Sequence, residues 1–292
     1  MHSDAMRKAG FISLAAAGLL ILGSCDSLDL VGMFWSRSDS VDSRFAQSMA
    51  YNEANGFPSI KCDTDDYQLY AFTDFHTAGG TRNLDAFMKV YQSSPAPLSL
   101  YLGDMVDEKE GDWDLFIEAT RPMSENGALF VTPGNHDLYF GIWPEFLSRF
   151  HTASYWFEMV GPTVRDLYIC LDTGSGTLGR DQRAWLEDVL KAKASSYRHV
   201  TVFTHTHFFK IDSSQGHTSN FDINETHDLM HLFSEYGVDL VLCGHDHTVE
   251  HTVYGGVDYY VIPSLEDTNP NAGYAVCRMG EQIEFTLNHL NK

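Results

Sequence analysis

The sequence predicts an α/β fold, and three observations carry the prediction. Six short apolar runs of strand length, Tyr67–Phe72, Leu98–Leu102, Ala128–Val131, Leu167–Leu171, His199–Thr204 and Leu240–Cys243, alternate with stretches of helical apolar spacing. Polar residues able to bind metals or move protons follow directly on the ends of five of these runs. The chain of 292 residues, 43% hydrophobic and 20% charged, has the length and composition of a globular domain with one substantial core.

The helices are read from the recurrence of apolar residues at three- and four-residue intervals. Leu84, Phe87, Met88 and Tyr91 mark the first, Leu115, Phe116, Ala119 and Met123 the second, and Trp185, Leu186, Val189 and Leu190 the third. The last third changes character. Runs at Thr248–Tyr254, Val257–Ile262, Tyr274–Arg278 and Ile283–Leu287, with Gly255-Gly256 as a turn, read as consecutive antiparallel strands.

Ahead of this region, Arg7 and Lys8 precede an apolar run from Phe11 to Leu22 that is short for a membrane span. It reads as an export signal ending in Leu22-Gly23-Ser24-Cys25, which resembles the bacterial lipobox. On that reading residues 1–24 are removed, and a lipidated Cys25 anchors the protein to a bacterial membrane, on the periplasmic side or at the cell surface. Residues 25–60, rich in Ser and Asp with a helix-like stretch at Val41–Glu53, form a stalk and docking helix, and 61–292 the catalytic domain.

The net charge is −21, and loss of residues 1–24 lowers it by one more. Such acidity disfavours tracking along duplex nucleic acid or seeking anionic headgroups. An exported protein permits disulfides, but Cys170, Cys243 and Cys277 lie in apolar strand-like runs where buried thiols are equally at home, so no bridge is assigned.

The chemistry gathers at the strand ends. Asp74-Phe75-His76 follows the first strand, and alternation along a strand would put Asp74 and His76 on one side with Phe75 packed on the other. Gly103-Asp104-Met105-Val106-Asp107 follows the second, Gly134-Asn135-His136-Asp137 the third, His205 with His207 the fourth, and Gly244-His245-Asp246-His247 the fifth. Open α/β sheets bind ligands beyond the carboxyl ends of their strands, so these tips converge on one crevice. Mixed nitrogen and oxygen donors suit Zn, Mn or Fe better than Ca or Mg. The glycines at 103, 134 and 244 let the backbone turn sharply and approach the ions closely.

In that order, DXH, GDXXD, GNHD, a strand-terminal His and GHXH resemble the motifs of the calcineurin-like metallophosphoesterases over residues 62–265, and Leu178-Gly179-Arg180-Asp181-Gln182 resembles the helix start found between the third and fourth motifs. The resemblance implies a four-layer α/β/β/α sandwich of two mixed sheets and two divalent ions. Asp74, His76 and His247 would hold one, Asn135, His205 and His245 the other, with Asp104 bridging and a bridging hydroxide as nucleophile. His136 would serve as general acid, oriented by Asp107. Asp137 is open between a turn-forming and a supporting role. The fourth motif departs from the family's His-X-Pro: His205 keeps the ligand place, and His207 is left to support a ligand, touch substrate or lie on the surface. His217, in the polar loop from Asp212 to Glu225, is a candidate to line the cleft.

Two departures narrow the branch. The family's Ser/Thr protein phosphatases carry Asp-Arg-Gly where Glu108 follows Asp107, and an Arg where Pro133 precedes Gly134; purple acid phosphatases carry Tyr at the position of Asp107, so no iron(III)-tyrosinate is expected. What remains are phosphate mono- and diesters of small molecules, nucleotides or lipid headgroups. A metallo-β-lactamase type of zinc hydrolase is disfavoured because the run from His205 lacks its clustered ligands. The competing non-enzymatic reading is a cell-surface metal-binding lipoprotein.

Overall fold

The computed structural model describes residues 29, 31–32, 39–107, 112–209 and 221–290; the run read as an export signal, Cys25, Glu108 and His217 lie outside them. Two mixed sheets make up the body. One has seven strands in the order β1-β5-β6-β7-β8-β10-β9, the other five in the order β12-β11-β2-β3-β4. The strands are β1 Ser59–Lys61, β2 Tyr67–Phe72, β3 Leu98–Tyr101, β4 Ala128–Val131, β5 Tyr155–Val160, β6 Arg165–Cys170, β7 Val200–Phe203, β8 Leu240–Cys243, β9 Glu250–Tyr254, β10 Val257–Val261, β11 Gly273–Met279 and β12 Ile283–His289.

The sheets face each other across an apolar layer to which Leu69, Leu100, Phe157, Tyr168, Phe203, Leu242 and Cys277 contribute. Strands buried on both faces carry near-continuous apolar sequence, as β3, β7 and β8 do. The outer face of the five-stranded sheet is covered by α2 (Arg82–Ser93), α3 (Trp113–Asn126) and α4 (Trp143–Phe150), through Phe72, Phe87, Phe116 and Phe146. The seven-stranded sheet is covered by α5 (Gly179–Lys193) and α6 (Ile223–Glu235), through Leu186, Leu190, Leu229 and Phe233. This is the four-layer sandwich. Asp112 and Asp222 cap α3 and α6 by accepting two backbone N–H groups each.

Helix α1 (Val41–Asn55) packs on α5, with the Phe45 and Trp185 rings 5.8 Å apart. Its Arg44 is fully buried and grips Asp172, just beyond β6, by Nε to Oδ2 at 2.7 Å and Nη2 to Oδ1 at 3.0 Å; Nη2 also reaches Ser175 Oγ at 2.9 Å. Asn52 donates to the Ser154 carbonyl at 2.8 Å, which fastens the other end of the helix.

The C-terminal strands differ from a simple antiparallel run. β9 pairs antiparallel with β10, but β10 joins β8 in parallel, and β11 crosses to the other sheet to pair with β2. Cys62, Cys170, Cys243 and Cys277 are free thiols. Among the described residues no helix is long and apolar enough to cross a membrane.

Candidate metal centre

The loops after β2, β3, β4, β7 and β8 bring Asp74, His76, Asp104, Asn135, His136, His205, His245 and His247 together at one end of the sandwich. Two trios form, Asp74 with His76 and His247, and Asp104 with His205 and His245, the donor atoms of each lying within 4.8 Å of one another. In the first, His76 Nε2 is 3.4 Å from His247 Nε2, which is 3.4 Å from Asp74 Oδ1. In the second, His205 Nε2 is 3.2 Å from Asp104 Oδ2, 3.2 Å from His245 Nδ1 and 3.1 Å from Asn135 Oδ1. Asp104 Oδ2 also stands 3.9 Å from His76 Nε2, so it faces both trios.

The residues present fit metal ions. Donors held roughly 2.0–2.1 Å from a shared ion at octahedral to tetrahedral angles lie roughly 2.9–3.4 Å apart, the spacing seen here. Asp74 Oδ1 is buried with no hydrogen-bond partner, a costly state for a carboxylate oxygen unless a cation meets it.

Local backbone, not strand alternation, aims these side chains. β2 ends at Phe72, and Asp74 and His76 both lie in the left-handed region with φ of 52° and 51°, while Phe75 between them is fully buried. Asp104, His245 and His247 share that conformation, with φ of 58°, 76° and 56°. Non-glycine residues there are strained by roughly 1–2 kcal/mol each, and such strain gathers at functional sites. His245 and His247, two residues apart, face different trios. Gly134 has a steric reason as well: a Cβ there would collide with the Asp104 carboxylate.

Supporting contacts set each ligand's orientation. Asp107 engages His76, not the expected His136: its Oδ1 is 3.0 Å from His76 Nδ1, because its loop turns it toward the loop after β2, where Ala78 N donates to its Oδ2 at 2.8 Å. The Leu102 carbonyl accepts from His205 Nδ1 at 2.8 Å. Asp137 resolves to both of its open roles, accepting from the backbone N–H groups of Gly134, Asp104, Met105 and Val106 at 2.9–3.2 Å and so fixing the turn that carries Asp104. His207 is fully buried with Nε2 2.9 Å from Asp246, so it is not a surface residue. The His136 amide donates to Asp104 Oδ1 at 2.9 Å, and its half-buried ring stands 5.0 Å from that of His76. Sequence reading missed Glu266, whose Oε2 is 3.5 Å from His247 Nδ1, although it too follows a strand end, that of β10. A separate cavity of about 430 Å³ between Tyr51, Phe116, Phe130 and Arg149 contains none of these residues.

The charges are coupled. Burial opposes a proton on His76, but Asp107, Asp104 and Asp74 outweigh it and push its pKa up to about 10. Burial likewise opposes charge on His205, which Asp104 raises to about 9, while burial and the His205 charge push His245 down to about 4. Without metal, two imidazolium ions therefore stand in for the cations. Raised histidine pKa values stabilise the fold fully below the ordinary 6.5 and lose that contribution as pH climbs through about 9 to 10. Chelator-treated protein should accordingly show a Tm that falls between pH 7 and 10, and metal-loaded protein a flatter profile. Parallel profiles would contradict this charge assignment.

The sequence model of the calcineurin-like phosphoesterase family matches residues 67–249. Among solved structures, a dimetal phosphatase from Danio rerio superposes with TM-score 0.60 at 14% identity, covering 77% of this chain and 96% of its own. Purple acid phosphatase PPD1 from yellow lupin, Lupinus luteus, gives TM-score 0.60 at 14% identity over 79% of this chain, which spans about half (52%) of the lupin protein. GAP50, described as the anchor in the inner membrane complex of Plasmodium, gives 0.58 at 14% identity over 78% of this chain and 85% of that one. No curated protein sequence matches.

Proposed function

Because the chain belongs to the calcineurin-like phosphoesterase family, and so to the metal-dependent hydrolases of phosphate esters, we propose that its two trios form one dinuclear centre that cleaves phosphate mono- or diesters with His136 as general acid. Asp74, His76 and His247 hold one divalent ion, Asn135, His205 and His245 the other, with Asp104 shared; the donor set suits Zn, Mn or Fe. The observation that carries this reading is the position of Asp104 Oδ2, 3.2 Å from His205 Nε2 and 3.9 Å from His76 Nε2. Bound there, the ions supply Lewis-acid polarisation of a phosphate oxygen and a lowered pKa for water.

The chain's own residues do the rest. Asp107 and the Leu102 carbonyl each take the Nδ1 side of a histidine, which leaves Nε2 of His76 and His205 facing the centre. His136, fastened to Asp104 through its amide, holds its imidazole at the rim. As the bond between phosphorus and the ester oxygen breaks, that oxygen takes a proton from His136 and leaves as the alcohol.

A panel of phosphate esters assayed against protein loaded separately with Mn, Zn, Fe, Co and Ni tests the activity. Two bound metals with no turnover of any ester would favour the non-catalytic metal-binding reading. The role of His136 has its own test. His136→Asn should keep both metals and lower kcat by roughly 10²–10⁴-fold for poor leaving groups, and less for nitrophenyl phosphate, since general acid assistance has that magnitude. Equal slowing of all esters would reassign His136 to positioning.

We propose further that the protein is exported and anchored through a lipidated Cys25, supported by the order of basic head, apolar run and Leu22-Gly23-Ser24-Cys25. Cys25→Ala should abolish labelling by radioactive palmitate and release the protein from membranes; equal labelling of both forms would refute the anchor.

A further inference from the structure

Three histidines present Nε2 to the metal centre, and each has an oxygen beside its Nδ1. His76 meets Asp107 Oδ1 at 3.0 Å, His205 the Leu102 carbonyl at 2.8 Å, and His247 Glu266 Oε2 at 3.5 Å, an ion-pair separation. On the opposite side of its ring, His247 Nε2 stands 3.4 Å from Asp74 Oδ1. The ring is therefore held between two carboxylates, one at each nitrogen. It is also the loosest of the three, with a side chain 35% exposed against 7% for His76 and none for His205. A ligand on an open rim has more rotamer freedom to lose when an ion binds, so a partner at Nδ1 matters most there.

The chain around Glu266 is pinned on both sides. Leu265 is fully buried, and its N–H donates to the Thr73 carbonyl at 3.0 Å, next to the ligand Asp74. Asp267 caps α2, accepting from the amides of Asn83 at 2.8 Å and Arg82 at 3.1 Å. The Glu266 carbonyl accepts from the Asn83 side chain at 2.8 Å and from the Asn269 N–H at 3.0 Å, and Asn269 Nδ2 donates to the His247 carbonyl at 3.2 Å. None of these bonds uses the Glu266 carboxylate. Among the described residues its one partner is His247.

Building on the dinuclear reading, we infer that Glu266 is a positioning residue that orients His247, so that the ion shared by Asp74, His76 and His247 depends on it and the ion at Asn135, His205 and His245 does not. A carboxylate at Nδ1 keeps the hydrogen on that nitrogen, which leaves the Nε2 lone pair for the metal, and it resists rotation of the ring away from the centre.

The test titrates a chelator against the metal-loaded full chain and counts ions by elemental analysis. Glu266→Ala should weaken one ion by roughly 10–100-fold, the usual effect of losing a ligand's outer partner, and leave the other at the parent's affinity. Manganese-loaded parent should show the paramagnetic resonance spectrum of a coupled pair, and Glu266→Ala at intermediate chelator that of an isolated ion. The metal-free Tm should barely move, since a partly exposed ion pair contributes little to folding. Glu266→Gln, whose amide oxygen can accept the same hydrogen, should lie closer to the parent. Asp267→Ala should do the reverse of Glu266→Ala, lowering the Tm by loss of a cap while keeping both ions. The assignment is overturned by parental affinity for both ions in Glu266→Ala, by equal weakening of both, or by Glu266→Gln as weak as Glu266→Ala. It is also overturned if Asp267→Ala loosens the same ion as much, because the loop and not the carboxylate would then hold His247. A parent that binds a single ion sinks the dinuclear reading instead. Glu266 then stands if Glu266→Ala weakens that ion and Asp267→Ala does not, and falls otherwise.

Discussion

Asp104→Asn is expected to strip the protein of both metals and to reduce phosphoesterase activity to near background. The substitution leaves the backbone undisturbed, since Asn accepts the left-handed conformation that Asp104 adopts at φ 58°. What it removes is charge. Asp104 is nearly fully buried, and against the cost of that burial the imidazoles of His205, His136 and His76 hold its carboxyl far below the usual carboxylate range. Its Oδ2 faces His205 in one trio and His76 in the other, so no neighbour can replace it for either ion. The loss should exceed the roughly 10–100-fold typical of disturbing a ligand's outer partner, such as Asp107 on His76. Elemental analysis decides the matter: one tightly held metal surviving Asp104→Asn would reject the shared role, whatever the activity.

Arg44→Ala should bring the largest loss of stability available from a single change in α1. It leaves Asp172 buried without its counter-ion, and breaking a buried pair from one side costs about 3–5 kcal/mol. For a domain of this size that corresponds to a fall in Tm of roughly 6–20 °C. Exchanging both partners, Arg44→Met with Asp172→Leu, should cost much less, because no charge is then stranded. The effect should reach the centre. The turn after Asp172 runs through Gly174, where an added Cβ would lie 2.9 Å from the Gly134 carbonyl, so this turn backs the loop that carries Asn135 and His136. Differential scanning fluorimetry on the single and double variants measures both effects. A double variant as unstable as Arg44→Ala would show that packing, not the stranded charge, is responsible.

Strands β2, β4 and β8 were legible to the residue because uninterrupted apolar runs end at polar tips. β5 was not: Tyr155–Val160 is apolar on both faces apart from Glu158, since its outward Trp156 is itself covered, by Phe57 at 4.6 Å and by Lys193. Short α4 escaped for a similar reason, offering barely two turns of periodicity. Every candidate ligand was visible as a residue type at a strand end, yet the aiming was not. Alternation along a strand correctly paired Asp74 with His76, but the cause is two left-handed residues. Nor can spacing show that Asp107 turns to His76, or that Asp137 gathers four amides. Those depend on how two loops meet in space.

Each trio borrows from both sheets. Asp74, His76 and Asp104 come from the ends of β2 and β3 in one sheet, His205, His245 and His247 from the ends of β7 and β8 in the other. A nascent chain halted before residue 245 therefore owns no complete trio, however well its first sheet has formed. On the proposed function, metal capture would come late in biogenesis and report docking of the sheets, and the ions would act as rivets between two layers that also meet through apolar packing and hydrogen bonds such as Tyr155 to Val131 and Tyr67 to Asp166.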